Sequence, residues 1–308
     1  MDVDIKLMTL NRLKIFLLAT LLFPCCGSSY LLADQLYKGP LFDAHAHLSK
    51  RSNPKRAYAD FKKAGFEKVV LFAEVNQAKD IVKVGKDLFV VFLDPFKRDK
   101  IKLAGGGKKI HYKFSKNRLS KITRALEKGE ARGFGEIYFQ LGWAPFARNG
   151  ISTDINGKDA RELLAVAKNF GSIVHIHLDA EHVNILKELL TQNPDVRFVL
   201  SHFGFFKPAE LSNLMDKHTN LYAETSLVFN PYNKKFANLP LEDGKIKPDW
   251  KDLLSRHAER LMIGTDYTMR RSDQLPKLAA YYRRVLGMLP VAKANKIAYE
   301  NFSRLFIK

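Results

Sequence analysis

Residues 41–63 read LFDAHAHLSKRSNPKRAYADFKK. Leu41–His47 alternates apolar and polar side chains, the period of a half-buried strand, and Asn53–Lys63 opens with an Asn cap and a Pro in its first turn, the start of a helix. From here on the period keeps switching. The further short apolar runs are Glu67–Ala73, Leu88–Leu93, Gly133–Phe139, Ser172–Asp179, Arg197–His202, Asn220–Thr225 and Arg260–Asp266. Amphipathic stretches alternate with them: Leu119–Lys128, Lys158–Asn169, Ala180–Leu190, Pro208–Lys217 and Pro248–His257, with Asp273–Leu289 and Ala292–Phe306 closing the chain. Eight strand-helix units over this length predict an α/β fold, the (β/α)8 barrel. A doubly wound sheet also alternates strands and helices and is the competing architecture. Phe96–Asn117, with Gly105-Gly106-Gly107, and Leu227–Lys247 show no clean period and read as loops; the GGGKK run lacks the spacing of a phosphate loop.

Composition narrows the function classes. The chain has 308 residues, 46% hydrophobic and 27% charged, which excludes a disordered chain and a multi-span membrane protein. Its two cysteines, Cys25 and Cys26, are adjacent and cannot staple distant parts of a fold. Lys and Arg number 51 against 32 Asp and Glu, a formal charge of +19. That balance attracts acidic partners, from anionic substrates to anionic polymers or lipids, or else only keeps a solvated surface soluble. No motif for specific nucleic-acid readout is present.

The first 33 residues read as an address. Arg12 and Lys14 precede the apolar run Ile15–Phe23, and Gly27, Ser28 and Ser29 follow, the order of a secretory signal peptide. Met8 is an alternative start, and an apolar helix packed on the domain is the alternative reading. The expectation is a signal peptide over 1–33, a barrel domain over 34–308, and an exported protein, periplasmic or secreted. Cys25 is a candidate for lipid anchoring to a membrane, although Pro24 stands where a lipoprotein signal needs a small residue.

The polar residues of the strands collect at their carboxyl ends, where barrel enzymes place function. Strict alternation would set Asp43, His45 and His47 on the luminal face of the first strand and Phe42, Ala44, Ala46 and Leu48 against the helices. Glu136 ends the fourth strand, His177 the fifth, His202 the sixth and Asp266 the eighth. Four His, one Glu and one Asp converging there make a ligand set for one or two divalent cations. His175 faces the same way one layer deeper and reads as a donor to the ligands. Asp266 follows Gly264, whose missing side chain reads as clearance for substrate; the plain alternative for Asp266 is a helix cap. Such a cation lowers the pKa of a water to about 7 and polarises the bond under attack. Arg270 and Arg271, just past Asp266, are candidates to clamp an acidic group of a small anionic substrate, or else solvated surface charges.

The motifs FDAHAHL (42–48), GEI (135–137), VHIHLDA (174–180), SHFG (201–204) and GTDY (264–267) resemble those of the amidohydrolase superfamily, over roughly residues 40–307. The likeness is to the amidohydrolase-related branch that includes lactonases and zinc decarboxylases of the amino-carboxymuconate type. Glu136 is similar to the strand-four Glu of TatD-type deoxyribonucleases. The resemblance implies a zinc-type metal held by His45, His47 and His177, with Asp266 completing the shell and taking a proton from water. It implies that His202 binds a second metal or contacts substrate, and that Glu136 bridges two ions if two are present. The leading expectation is a metal-dependent hydrolase of a small ester, lactone, amide or phosphoester. A mononuclear decarboxylase, a TatD-like nuclease and a basic binding protein without catalysis are the alternatives.

Overall fold

The computed structural model describes residues 36–102, 108–141, 151–152, 155–233, 235 and 237–307. The expected leader with Cys25 and the Gly105–Gly107 run lie outside the described residues.

Eight strands form the frame: β1 (Phe42–His47), β2 (Lys68–Ala73), β3 (Phe89–Leu93), β4 (Gly133–Leu141), β5 (Ile173–Leu178), β6 (Arg197–Leu200), β7 (Leu221–Glu224) and β8 (Leu261–Met262). Each pairs in parallel with the next in chain order, as in Val70 opposite Val90 and Ala223 opposite Leu261. The ring closes from the last strand to the first. Ala44 N donates to Ile263 O at 2.9 Å, His47 N donates to Tyr267 O at 2.8 Å, and Ala46 bridges Tyr267 in parallel. A doubly wound sheet reverses its strand order and leaves two edges; this sheet does neither, so the fold is the expected barrel.

Helices α1 (Pro54–Ala64), α2 (Ala78–Gly85), α3 (Lys116–Glu127), α4 (Lys158–Phe170), α5 (Val183–Gln192), α6 (Pro208–Lys217), α7 (Pro248–Arg256) and α8 (Leu275–Gly287) follow the strands. The start of α1 is set by its residues. The Asn53 side chain accepts from Lys55 N at 2.9 Å, and Pro54 needs no partner for an N–H it lacks. Its end is set by Gly65 at φ 81°. After α8 the chain runs through α9 (Val291–Asn295) and one π-turn into α10 (Asn301–Phe306).

Two segments depart from the sequence reading. α2 carries its core contacts on Ala78, Ile81 and Gly85, two of them too small to mark an apolar face. Part of Phe96–Asn117, read as a loop, is an antiparallel hairpin of Phe96–Lys102 with Lys108–Phe114. Its pairing is carried by the backbone, so lysine-rich strands leave no alternation to read.

Two apolar layers hold the ring. Val69, Leu71 and Ala73 of β2 belong to the outer layer with Ala57 and Phe61 of α1. Val70 and Phe72, on the other face, join Phe92, Val199 and Met262 in an inner cluster plugged by Phe302, Leu305 and Phe306 of α10. Phe42 and Ala44 lie in this inner cluster and not against the helices, whereas Ala46 and Leu48 do meet the outer layer. The cause is an irregularity in β1: the register against β2 shifts between Asp43 and Ala46, which changes the inward parity. Phe42 and Ala44 thus line the floor, and His45 and His47 line the layer above it.

Candidate metal centre

Four histidines and three carboxylates meet above that floor. His45 and Glu224 are wholly buried, and Glu136 and His202 are nearly so. His47, His177 and Asp266 are half-buried, facing the open end of the barrel. His45 Nε2 lies 3.0 Å from His47 Nε2, and Asp266 Oδ1 lies 3.5 Å and 3.2 Å from those two nitrogens. Glu136 divides its oxygens between two sides. Its Oε2 faces His47 at 3.5 Å and His45 at 3.8 Å, while its Oε1 faces His177 at 2.9 Å and His202 at 3.6 Å. Two ligand groups result, His45–His47–Glu136 and Glu136–His177–His202, each with donor atoms within 4.8 Å of one another. The five strand ends named from the sequence are therefore brought together in space.

The donor set fits a cation. Glu224 accepts from His45 Nδ1 at 2.8 Å, so Nδ1 carries the hydrogen and Nε2 turns a lone pair toward His47. His202 Nδ1 likewise donates to Ser226 O at 3.2 Å, leaving its Nε2 toward Glu136. Two nitrogen lone pairs 3.0 Å apart repel unless a positive centre serves both. Where protons alone serve, the site holds them tightly. Burial by itself would lower the His45 pKa, but Glu136 and Glu224 outweigh it and raise it to about 10. Burial is outweighed at His177 too, by Glu136 and Asp179, and its pKa rises to about 9. Burial pushes the Glu136 and Asp266 carboxyls up, yet the surrounding histidines hold both well below the usual carboxylate range.

Glu224, at the end of β7, was not singled out from the sequence. Besides His45 it accepts from His202 N at 2.8 Å, Ser226 N at 2.6 Å and Ser226 Oγ at 2.7 Å. It thus fixes the tautomer of one histidine and the backbone of another. The backbone at His202 needs fixing: His202, Phe203, Gly204 and Phe205 follow one another at φ 52–58°. Each non-glycine residue in that left-handed conformation costs about 1–3 kcal/mol. The Glu224 bond offsets part of this, as does packing of Phe203 against Phe229 and Trp250 at ring separations of 5.5 Å and 5.7 Å.

Gly264 serves this carboxylate and not substrate clearance. A Cβ there would lie 2.0 Å from Glu224 Oε2 and 3.1 Å from His45 Cβ. Asp43, on the same strand as His45, ties β1 to β8 by accepting from Thr265 N at 2.9 Å and Thr265 Oγ1 at 2.5 Å. His175 lies one layer deeper as expected, wholly buried with Nδ1 3.0 Å from Ser201 Oγ and Nε2 without a hydrogen-bond partner. Burial, then the neighbouring His45, lowers its pKa to about 3.

Asp266 sits at φ 50° and its N–H donates to His45 O at 2.8 Å, so it is not a helix cap. Its Oδ2 accepts from Arg271 Nη2 at 3.0 Å, which leaves Oδ1 turned toward the histidines. Arg271 thus reaches the site but spends its guanidinium on Asp266. Arg270 is exposed on the adjoining turn.

A family model described as Amidohydrolase matches residues 115–306. A dihydroorotase of Helicobacter pylori (strain G27) is 31% identical over 118 residues, covering 35% of this chain and 33% of the relative, so the chain matches about a third of that protein's length. Among solved structures, a probable 2-pyrone-4,6-dicarboxylic acid hydrolase from Acinetobacter baumannii with citric acid bound aligns over 87% of this chain and 99% of its own, with TM-score 0.55 and 13% identity. An amidohydrolase from Burkholderia multivorans with zinc bound gives the same coverage and TM-score at 12% identity. A D-hydantoinase from Thermus sp. aligns over 86% of this chain and 70% of its own, with TM-score 0.51 and 12% identity. At these identities the structural likeness is one of fold.

Proposed function

The chain belongs to the amidohydrolase family of metal-dependent hydrolases, and from that premise we propose that it cleaves a small anionic ester, lactone, amide or phosphoester at a centre of two divalent ions, zinc foremost. The observation that carries this reading is the division of Glu136. One oxygen serves the His45–His47 side and the other the His177–His202 side, the arrangement of a carboxylate shared by two cations. His45, His47 and Asp266 would hold one ion, His177 and His202 the other. Bound there, divalent ions supply Lewis acidity, making water nucleophilic at neutral pH and polarising the bond under attack.

The protein's own groups do the rest. The Asp266 carboxylate stays ionised, so it accepts the proton of the attacking water and returns it to the leaving group. Arg271 holds Oδ2 and fixes which oxygen does this. Arg270, exposed beside the mouth, is placed to hold an acidic group of the substrate. Phe72 and Phe205 flank the histidine rings at 4.9–6.2 Å and limit water at the site. Export belongs to the same proposal, supported by the order of residues 12–29 alone.

The test pairs metal content with hydrolysis of a carboxylated lactone, an anilide and a phosphodiester. Two equivalents of metal and hydrolysis of at least one compound are expected, with Glu136→Gln reducing the content to one or none. One equivalent in both proteins would favour the mononuclear decarboxylase, in which Glu136 is idle. No bound metal would overturn the reading.

A further inference from the structure

Away from the histidines, a cleft of about 550 Å³ opens between α3 and the turn that leads into α2. Six cations line it: Lys50, Lys79, Arg118, Lys121, Arg124 and Lys128. Glu74 and Glu130 are its only carboxylates among the described residues. Glu74 is already neutralised, because Arg118 Nη1 donates to its Oε2 at 2.9 Å. Arg118 is further pinned by donating from Nε and Nη2 to Asp94 O at 3.1 Å and 2.8 Å. Five cations therefore face Glu130 alone, and none of the five makes an ion pair among the described residues.

That concentration is not an accident of solubility. Lys121 and Arg124 of α3 and Lys128 at its C-cap stand three and four residues apart and are all exposed, while Leu119 and Ile122 of the same helix are buried. Like charges at this spacing repel and weaken a helix by tenths of a kcal/mol each. Lysines scattered for solubility need not share one concave wall.

We propose that this cleft is a binding site for a linear chain of phosphate groups, separate from the metal centre. Lys121 and Lys128 are seven residues apart, about 10 Å along the helix axis, which is more than one phosphate covers. The ligand must therefore carry several anionic groups in a row. The lining offers no aromatic ring, so it recognises a phosphate backbone and does not stack bases. A membrane surface fits poorly, because the wall is concave. The exposed large apolar residues, Leu36, Tyr232, Val291 and Ile307, all lie outside its lining.

The test uses the full chain as purified with its metal. Binding of a fluorescent twelve-nucleotide oligothymidylate is followed by anisotropy against salt, with inorganic polyphosphate as competitor. Five cations neutralising phosphates of a single strand give a log–log salt slope of about −3.5. Lys121→Gln, Arg124→Gln and Lys128→Gln together should weaken binding at least ten-fold and bring the slope to about −1.4. Glutamine keeps the helix propensity, so the variant folds. A charge-matched control, Lys63→Gln, Lys187→Gln and Lys251→Gln, removes three exposed cations outside the cleft and should leave the slope unchanged. Competition by polyphosphate at lower concentration than by unlabelled oligothymidylate would name a base-free chain as the natural source, and the reverse order would name single-stranded nucleic acid. Equal losses in the cleft and control variants would show only a diffuse positive field and overturn the proposal. So would binding to vesicles of anionic phospholipid that falls in the cleft variant while binding of both chains does not.

Discussion

Gly264→Ala adds one methyl group at the most crowded point of the metal centre. The new Cβ would stand 2.0 Å from Glu224 Oε2, 2.8 Å from its Cδ and 3.1 Å from His45 Cβ, among side chains that are wholly buried. Gly264 does not use the left-handed backbone, so alanine meets no conformational penalty and the whole effect is steric. The carboxylate has to move by an ångström or more, and Oε2 then loses the 2.6 Å bond from Ser226 N. A buried hydrogen bond to a charged group is worth about 1.5–3 kcal/mol. Overpacking a filled core costs about 1–3 kcal/mol more. Together they predict a loss of roughly 2.5–6 kcal/mol, above the ordinary point mutation at about 1 kcal/mol. Urea unfolding of Gly264→Ala, of Glu224→Ala and of the pair measures it as a double-mutant cycle. With Glu224 shortened the added methyl has room, so in that background it should cost less than about 1 kcal/mol. The cost of the methyl group is read within each background, as the difference between the two unfolding curves. An equal cost in both backgrounds would refute the steric argument and return Gly264 to a role in substrate clearance.

The remaining predictions concern the metal, acid and charge. His45→Ala with His47→Ala should abolish metal content by elemental analysis while leaving far-ultraviolet dichroism intact, because the inner apolar layer lies beneath both residues; full retention of metal would defeat the assignment. His175 has its pKa lowered from 6.5 to about 3, so the neutral form contributes stability that is present above pH 6.5 and is lost as pH falls toward 3. The loss should reach about 2 kcal/mol between pH 6.5 and 5 at roughly 1.4 kcal/mol per unit. His45, whose pKa is raised, contributes a nearly constant amount over that window, and Asp43, raised to about 7 by burial, adds stability as pH falls; the loss is therefore read as the difference between the pH curves of the wild type and His175→Gln in urea unfolding. Arg270→Ala should lower kcat/KM about ten- to a hundred-fold on anionic substrates only, whereas Arg271→Ala should lower it on charged and neutral substrates alike, because Arg271 acts through Asp266; equal behaviour of the two variants would contradict this division.

The sites that were legible in the sequence share one property: a metal-capable side chain directly after an apolar run. His47, Glu136, His177, His202 and Asp266 all announce themselves this way, and the ring brings them together without further information. Glu224 follows the same rule at the end of Leu221–Glu224, yet a lone Glu before Thr225 and Ser226 also reads as the polar start of a loop. What distinguishes it is its partners, His45 and His202, which are 179 and 22 residues away. The misreading of Gly264 has the same origin, since the atom that needs the space belongs to a strand 40 residues earlier. In β1 the alternation of apolar and polar residues is legible, but it sets Phe42 and Ala44 on the wrong face, because a register shift against the neighbouring strand is a property of two strands and not of one.

That distinction also explains how Asp266 and Arg271 are read differently before and after folding. Five residues apart, they look like a catalytic acid and an independent cation for substrate. The left-handed backbone at Asp266 turns its side chain back across the mouth, where the guanidinium meets Oδ2 at 3.0 Å. With one oxygen held by Arg271, Asp266 has a single free oxygen, and it is aimed at His45 and His47 at 3.5 Å and 3.2 Å. The arginine therefore holds the carboxylate toward the histidine side of the site, and leaves Arg270, exposed on the adjoining turn, as the cation we propose for an acidic group of the substrate.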